Sequence, residues 1–289
     1  MEPVCWKITA AILQGILLEA ATPGKPGLVC YNSNGSHDDM NILTFMAGSA
    51  ALTPYFYRFT EFGYWYRGDI SSLLKQLRPL GLEAEQSLLS ATGGVNTQRG
   101  ALFMLGLLGA LAGYLHKTEG MISATSLFSL AKITAAGLVQ NELVLCAKQT
   151  KTAGEKLFAS YGATGIRGEA QSGFFNVAQY GLPALMSAFK QKATLSQAIV
   201  FTLLNLMAHV EDTTILWRGG LSSLQTLQKM AQEACASGSV FSTAGLADLE
   251  TLRNFCQEHR LSPGGSADLV SVTLTIYLWQ EGCFPVAIT

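Results

Sequence analysis

Charge is scarce in this chain: Lys, Arg, Asp and Glu make up 13% of its 289 residues, and the formal net charge at pH 7 is −1. A near-neutral chain exerts no long-range pull on nucleic acid, so no nucleic-acid partner is expected and any anionic ligand must be held by a few locally placed cations. Histidine is scarcer still, at four residues, and the six cysteines (Cys5, Cys30, Cys146, Cys235, Cys256, Cys283) form no CxxC pair. That spacing argues against a zinc site and reads as reduced thiols in a cytoplasmic protein. The longest apolar run, "ALFMLGLLGALAGYL" at 101–115, has fifteen residues, short of the roughly 20 that span a bilayer. A buried core helix explains it, and no membrane association is expected. The N-terminus carries an acidic residue at position 2 and lacks a small-residue cleavage site, which argues against a secretory signal.

Strand-like alternation and dividing linkers are also missing. Apolar residues recur at helical spacing instead, so the expected fold class is all-α, a single multi-helix domain over 1–289 whose glycine-rich loops form the active site. The pattern predicts helices over 5–21, 41–59, 70–91, 98–115, 121–148, 151–161, 182–191, 195–211, 221–237, 243–259 and 264–280. Thr194 with Gln197 forms a capping-box start, and Gly219-Gly220 a stop. Gly106, Gly109, Ala110 and Gly113 leave room for neighbouring backbones beside the helix at 98–115.

What charge there is collects beside glycine. Glu19 falls on the inward stripe of the first helix with Cys5, Ile8, Ile12 and Ile16, and needs a cation, a metal or a substrate hydroxyl unless the helix end frays into water. "TPGKPGLVCYNSNGSHDDMN" at 22–41 offers Lys25, His37 and Asp39. It lacks the GxxxxGK[ST] spacing of a Walker loop, but a phosphate-binding turn stays open. "SHDDM" also reads as an ordinary cap for the next helix. "GGVNTQRGA" at 93–101 supplies Asn96 and Thr97, with Thr97 expected to cap the apolar helix. Arg99 would stand in that helix's first turn, where a positive charge is unfavourable unless an anion is nearby. "GATGIRGEAQSGF" at 162–174 sets Arg167 and Glu169 among four glycines, as a flexible loop with an internal salt bridge or as ligand groups. "EDTTILWRGG" at 211–220 places Asp212 and Arg218 at the end of an apolar helix. In "LSPGGSADL" at 261–269, Ser262 reads as N-cap and Pro263 as the first helical residue. Gly264, Gly265 and Ser266 would then leave backbone N–H groups open to a phosphate, with Asp268 reaching a metal on it. Five such clusters in a charge-poor chain point to a polyanionic ligand, a nucleotide with Mg²⁺.

The pieces "KPGLV" with "GSHDDM", "LRPLGLEAE", "GVNTQRGALFMLGLL", "GIRGEAQSGF", "DTTILWRGG" and "LSPGGSADL", in that order, resemble the triphosphoribosyl-dephospho-coenzyme A synthases. The resemblance covers Glu19 to about Leu278. It departs from the usual pattern at Gly24 and Cys30, where PKPGLVD has proline and aspartate; at Gln98 and Arg99, where NTHKG has histidine and lysine; and at Thr214, where DTN has asparagine. The resemblance implies that the 2′-hydroxyl of 3′-dephospho-CoA attacks C1 of the ATP ribose and adenine leaves, with the triphosphate kept on the sugar. The product would serve citrate lyase, or equally malonate decarboxylase, through a separate carrier-protein transferase.

The chemistry wants a base, a donor to adenine and cations on the triphosphate. The expected roles are Asp212 or Glu169 as base, His37 and Asp39 beside the ribose or adenine, and Glu19 and Asp268 toward Mg²⁺. Lys25, Asn96, Thr97, Arg99, Arg167, Arg218, Ser262, Gly264, Gly265 and Ser266 would hold substrate and phosphate. No redox cofactor is expected, and homo-oligomerisation stays open. "HDDM" also resembles the HD-type phosphohydrolases, but those need a histidine ligand upstream and none precedes His37. A helical module that binds nucleotide or CoA without chemistry is the remaining rival.

Overall fold

The apolar run lies at the centre of the molecule. In the computed structural model, which describes residues 2–145 and 152–288, it belongs to a helix α4 (Arg99–Glu119) on which every residue from Met104 to Gly113 is buried. Against it pack α1 (Pro3–Ala21), α2 (Ile42–Trp65), α3 (Leu73–Ala91), α5 (Ala124–Thr134) and α7 (Gly165–Gln171), with α6 (Ala153–Tyr161) lying between α5 and α7 in sequence. The chain continues through α8 (Leu182–Lys190), α9 (Leu195–Met207), α10 (Thr213–Ala236), α11 (Thr243–Glu258) and α12 (Gly264–Glu281). No strand occurs among the described residues, only an isolated bridge between Cys30 and Ser33. The all-α expectation holds. By length and composition, α1 and α4 could each cross a membrane. For α4 that reading is weak, because 72% of its apolar window is already covered by the protein itself.

Small residues set the central spacing. The most extensive packing is between α2 and α4. A Cβ on Gly63 of α2 would overlap the Ala110 backbone, and one on Gly113 of α4 would overlap the Thr60 carbonyl. We expect Gly113→Ala to cost about 1–3 kcal/mol through overpacking, read as a lower denaturation midpoint with an unchanged slope. On the other side, α1 lies against α12, with Gly15 facing the Thr275 side chain and the Ser271 carbonyl.

Several boundaries differ from the sequence reading. The helix expected over 121–148 stops at Thr134; Gly137, at φ 74°, turns the chain into a short π-helical turn, Gln140–Val144. Its remainder lies outside the described residues. The stretch expected as a flexible loop at 162–174 contains α7. α9 ends at Met207, and a new helix begins at Thr213 because the Asp212 side chain accepts the N–H groups of Thr214 and Ile215. Asp212 is therefore the start of α10 rather than the end of the preceding helix. The glycine stop is real but internal: Gly220, at φ 71° and ψ −173°, breaks α10 into two segments. The capping box of Thr194 and Gln197 forms as expected.

Candidate active site

A cleft of about 700 Å³ opens between the starts of α4, α7, α10 and α12 and one face of α3. Its wall takes Glu19 and residues from all five sequence clusters: Lys25, His37, Asp39, Asn96, Thr97, Arg99, Arg167, Arg218, Ser262, Gly264, Gly265 and Asp268. Three expected residues, Asp212, Glu169 and Ser266, are buried outside that wall.

The carboxylates expected as bases are committed to backbone. Asp212 is 2% exposed. Its Oδ1 accepts from the N–H groups of Thr214 (3.0 Å), Ile215 (3.4 Å) and Gly265 (3.3 Å) and from Thr214 Oγ1 (2.6 Å); Oδ2 accepts from Ser266 N (2.7 Å) and Ser266 Oγ (2.9 Å). One side chain thus caps α10 and α12 together. Glu169 accepts from Asn176 N (3.0 Å), Asn176 Nδ2 (2.7 Å) and Val177 N (3.4 Å), fixing the chain where Phe174 adopts φ 59°. Burial pushes the Glu169 carboxyl above its ordinary range, and those donors oppose the shift. Glu169 makes no salt bridge with Arg167, which pairs instead with Glu142.

The same bonds close the helix end expected to hold a phosphate. Gly264 N donates to Thr214 Oγ1 at 2.8 Å, and the next two N–H groups go to Asp212. Pro263, rather than Ser262, occupies the N-cap of α12. Gln98, rather than Thr97, precedes α4; its amide pairs with Ser49. Thr97 Oγ1 is left buried in the cleft wall with no partner among the described residues. Cys30 does not line the cleft, and its thiol donates to Asn32 Oδ1 at 3.0 Å.

At one side of the cleft, Arg218 Nη2 donates to His37 Nδ1 at 3.1 Å while Nη1 donates to the Ser36 and Arg260 carbonyls. An acceptor Nδ1 leaves the proton on Nε2, which donates to Ser262 Oγ at 2.8 Å. Burial, then the Arg218 charge, lowers the His37 pKa from its ordinary 6.5. His37 is therefore neutral, and the stability it contributes, present above that value, is lost as pH falls below it. Asp39 Oδ1 stands 3.4 Å from Nδ1, its side chain 60% exposed at the mouth.

On the floor, the buried ammonium of Lys25 donates to the Glu19 carbonyl and to Glu19 Oε1 at 2.6 Å. Glu19 thus faces a cation. Beside it, Asp268 accepts the Ala101 N–H at the start of α4, and only a glycine at position 100 leaves space for its carboxylate. Burial, then the nearby charges of Glu19 and Asp212, raises the Asp268 pKa well above the ordinary 3.8. Glu19 is thus held by a lysine, and among the described residues there is no group of three or more His, Cys, Asp or Glu that could hold an ion.

The sequence reading missed the opposite wall. Arg78 and Glu85 share one face of α3 two turns apart; Glu142 stands on the π-helical turn; Trp217, 56% exposed, adjoins Arg218. Arg99 Nη2 lies 2.6 Å from Glu85 Oε1, and Arg167 Nε donates to Glu142 Oε2 at 2.8 Å. The other Glu142 oxygen pairs with Arg78. "LRPLGLEAE" held two of these residues in plain view, but ion pairs between distant segments leave no periodic signal.

A helical scaffold that brings Lys25, Arg78, Arg99, Arg167 and Arg218 to one cleft belongs to the class of proteins whose pockets concentrate cations as a small polyanion would require. The family described as ATP:dephospho-CoA triphosphoribosyl transferase matches residues 5–283, and the chain belongs to it. It is 41% identical over 287 residues to the probable 2-(5''-triphosphoribosyl)-3'-dephosphocoenzyme-A synthase of Malonomonas rubra, covering 98% of this chain and 91% of that one. The synthases of Pectobacterium atrosepticum and Klebsiella pneumoniae are 39% and 37% identical, over 93% and 96% of this chain and 88% and 91% of theirs. No solved structure matches it.

Proposed function

We propose that this chain transfers the 5-triphosphoribosyl group of ATP to the 2′-hydroxyl of 3′-dephospho-CoA and releases adenine, making the precursor of the citrate lyase acyl-carrier prosthetic group. Family membership supports the reaction, and one structural observation carries it: five loop clusters far apart in sequence converge on a cleft of substrate size. In the step, the hydroxyl oxygen forms a bond to ribose C1, the C1–N bond to adenine breaks, the hydroxyl proton passes to a base, and adenine takes up a proton. Mg²⁺ enters as the counter-ion of ATP, not as a resident ion. A cytoplasmic setting suits the buried thiols of Cys5 and Cys256, which burial pushes up to about 11 and 12 and so leaves inert.

With Asp212 and Glu169 behind the wall, five carboxylates face the cleft. Glu19, Glu85 and Glu142 are each paired with a cation, which leaves Asp39 and Asp268. Asp268, whose pKa burial and the neighbouring carboxylates raise, is the donor to departing adenine, and Asp39, at the mouth, takes the hydroxyl proton. Thr97 Oγ1 gives a ligand oxygen a partner that the protein does not supply.

Incubation with ATP, Mg²⁺ and dephospho-CoA, followed by mass analysis, should yield free adenine and the triphosphoribosyl adduct. Release of ADP or phosphate refutes the chemistry, and retained nucleotide without adenine release marks a binding module.

A further inference from the structure

The triphosphate needs a place other than the α12 N-terminus, whose N–H groups Thr214 and Asp212 already occupy. Three guanidiniums from separate elements line the cleft: Arg78 on α3, Arg99 at the start of α4 and Arg167 on α7. Each is held by a glutamate that also lines the cleft. Glu142 bridges two of them, one carboxylate oxygen to Arg78 and the other to Arg167, while Glu85 holds Arg99.

A carboxylate spread between two guanidiniums makes the contacts that two phosphate oxygens would make. Arg78 and Arg167 stand close enough to feel each other: burial, then the Arg167 charge, lowers the Arg78 pKa. Glu142 sits on the π-helical turn, an i to i+5 arrangement that recurs at functional sites. Exposure of the pairing side chains runs from 24% to 48%, so water can take over a released glutamate and exchange costs little.

We propose that Arg78, Arg99 and Arg167 form the triphosphate subsite, and that Glu142 and Glu85 are stand-in anions occupying it until a polyphosphate displaces them. The inference rests on the reading of the cleft as an ATP site. It accounts for cations kept in place in a charge-poor protein, and for discrimination by length. A single phosphate can displace one glutamate; only a chain of phosphates repays the release of both.

The test is calorimetric titration of the full chain with inorganic tripolyphosphate, beside Glu142→Gln, Glu85→Gln and Arg78→Gln, each checked for an unchanged helical spectrum. Glutamine keeps the shape of the stand-in and removes its charge. Tripolyphosphate should bind Glu142→Gln roughly three- to tenfold more tightly than wild type, Glu85→Gln should shift the same way, and Arg78→Gln should bind at least about tenfold more weakly. Equal affinity in wild type, both glutamate variants and Arg78→Gln overturns the subsite while adenine release in the wild-type assay stands. Weaker binding in both glutamate variants overturns the stand-in role. Failure of the wild type to release adenine from ATP overturns the reading of the cleft, and this inference with it.

Discussion

Asp268→Asn should lower turnover by roughly 10²- to 10⁴-fold, the range for loss of a general acid or base, and raise the unfolding temperature at neutral pH. The two effects share a cause. A carboxyl whose folded pKa is raised well above 3.8 gives stability at low pH that is lost as pH rises through the folded value. At neutral pH the wild type therefore bears the burden of burying this group between Glu19, Asp212 and the start of α4, and the isosteric amide removes it. A proton donor also predicts a limb on which turnover falls with rising pH, absent from whatever activity the asparagine variant retains. Normal turnover in Asp268→Asn would remove it from the donor role, and reduced stability would show that its proton is not what the site strains to keep.

Asp212→Ala should be the most destabilising change in the site, by about 3–5 kcal/mol. Removing one member of a buried, hydrogen-bonded charge network leaves its partners unpaired. Here the orphans would be the N–H groups of Thr214, Gly265 and Ser266, together with Ser266 Oγ. Denaturant titration measures the loss. Asp212→Asn is expected to be destabilised too, since an amide presents N–H where only acceptors fit. Turnover per folded molecule separates this from catalysis: a full-strength fold with abolished chemistry would return Asp212 to the base role.

Asp212 shows why the site was only partly legible from the sequence. A carboxylate beside glycines and a helix start reads the same whether it faces a ligand or caps two helices, because both uses draw on exposed N–H groups and tolerate no bulky neighbour. The sequence clusters fall on the cleft wall, and periodicity found α1, α11 and α12 to within two residues at each end. It failed at α7, where two glycines among seven residues hide a helix held by its surroundings. The roles of Arg78 and Glu142 escaped for another reason: their meaning lies in a pairing between α3 and a π-helical turn, and a single chain read in order carries no trace of such partners.

The contact of Gly15 with Thr275 and the Ser271 carbonyl ties the first helix to the last. During synthesis α1 leaves the ribosome long before the partner for its glycine face exists, so this apolar helix must wait, exposed, while nearly the whole chain is made. The cleft waits with it, since Asp268 and the cap shared through Asp212 both arrive on α12. The cleft is therefore complete only once α12 has docked, and chaperone dependence is expected to concentrate in the interval before it does.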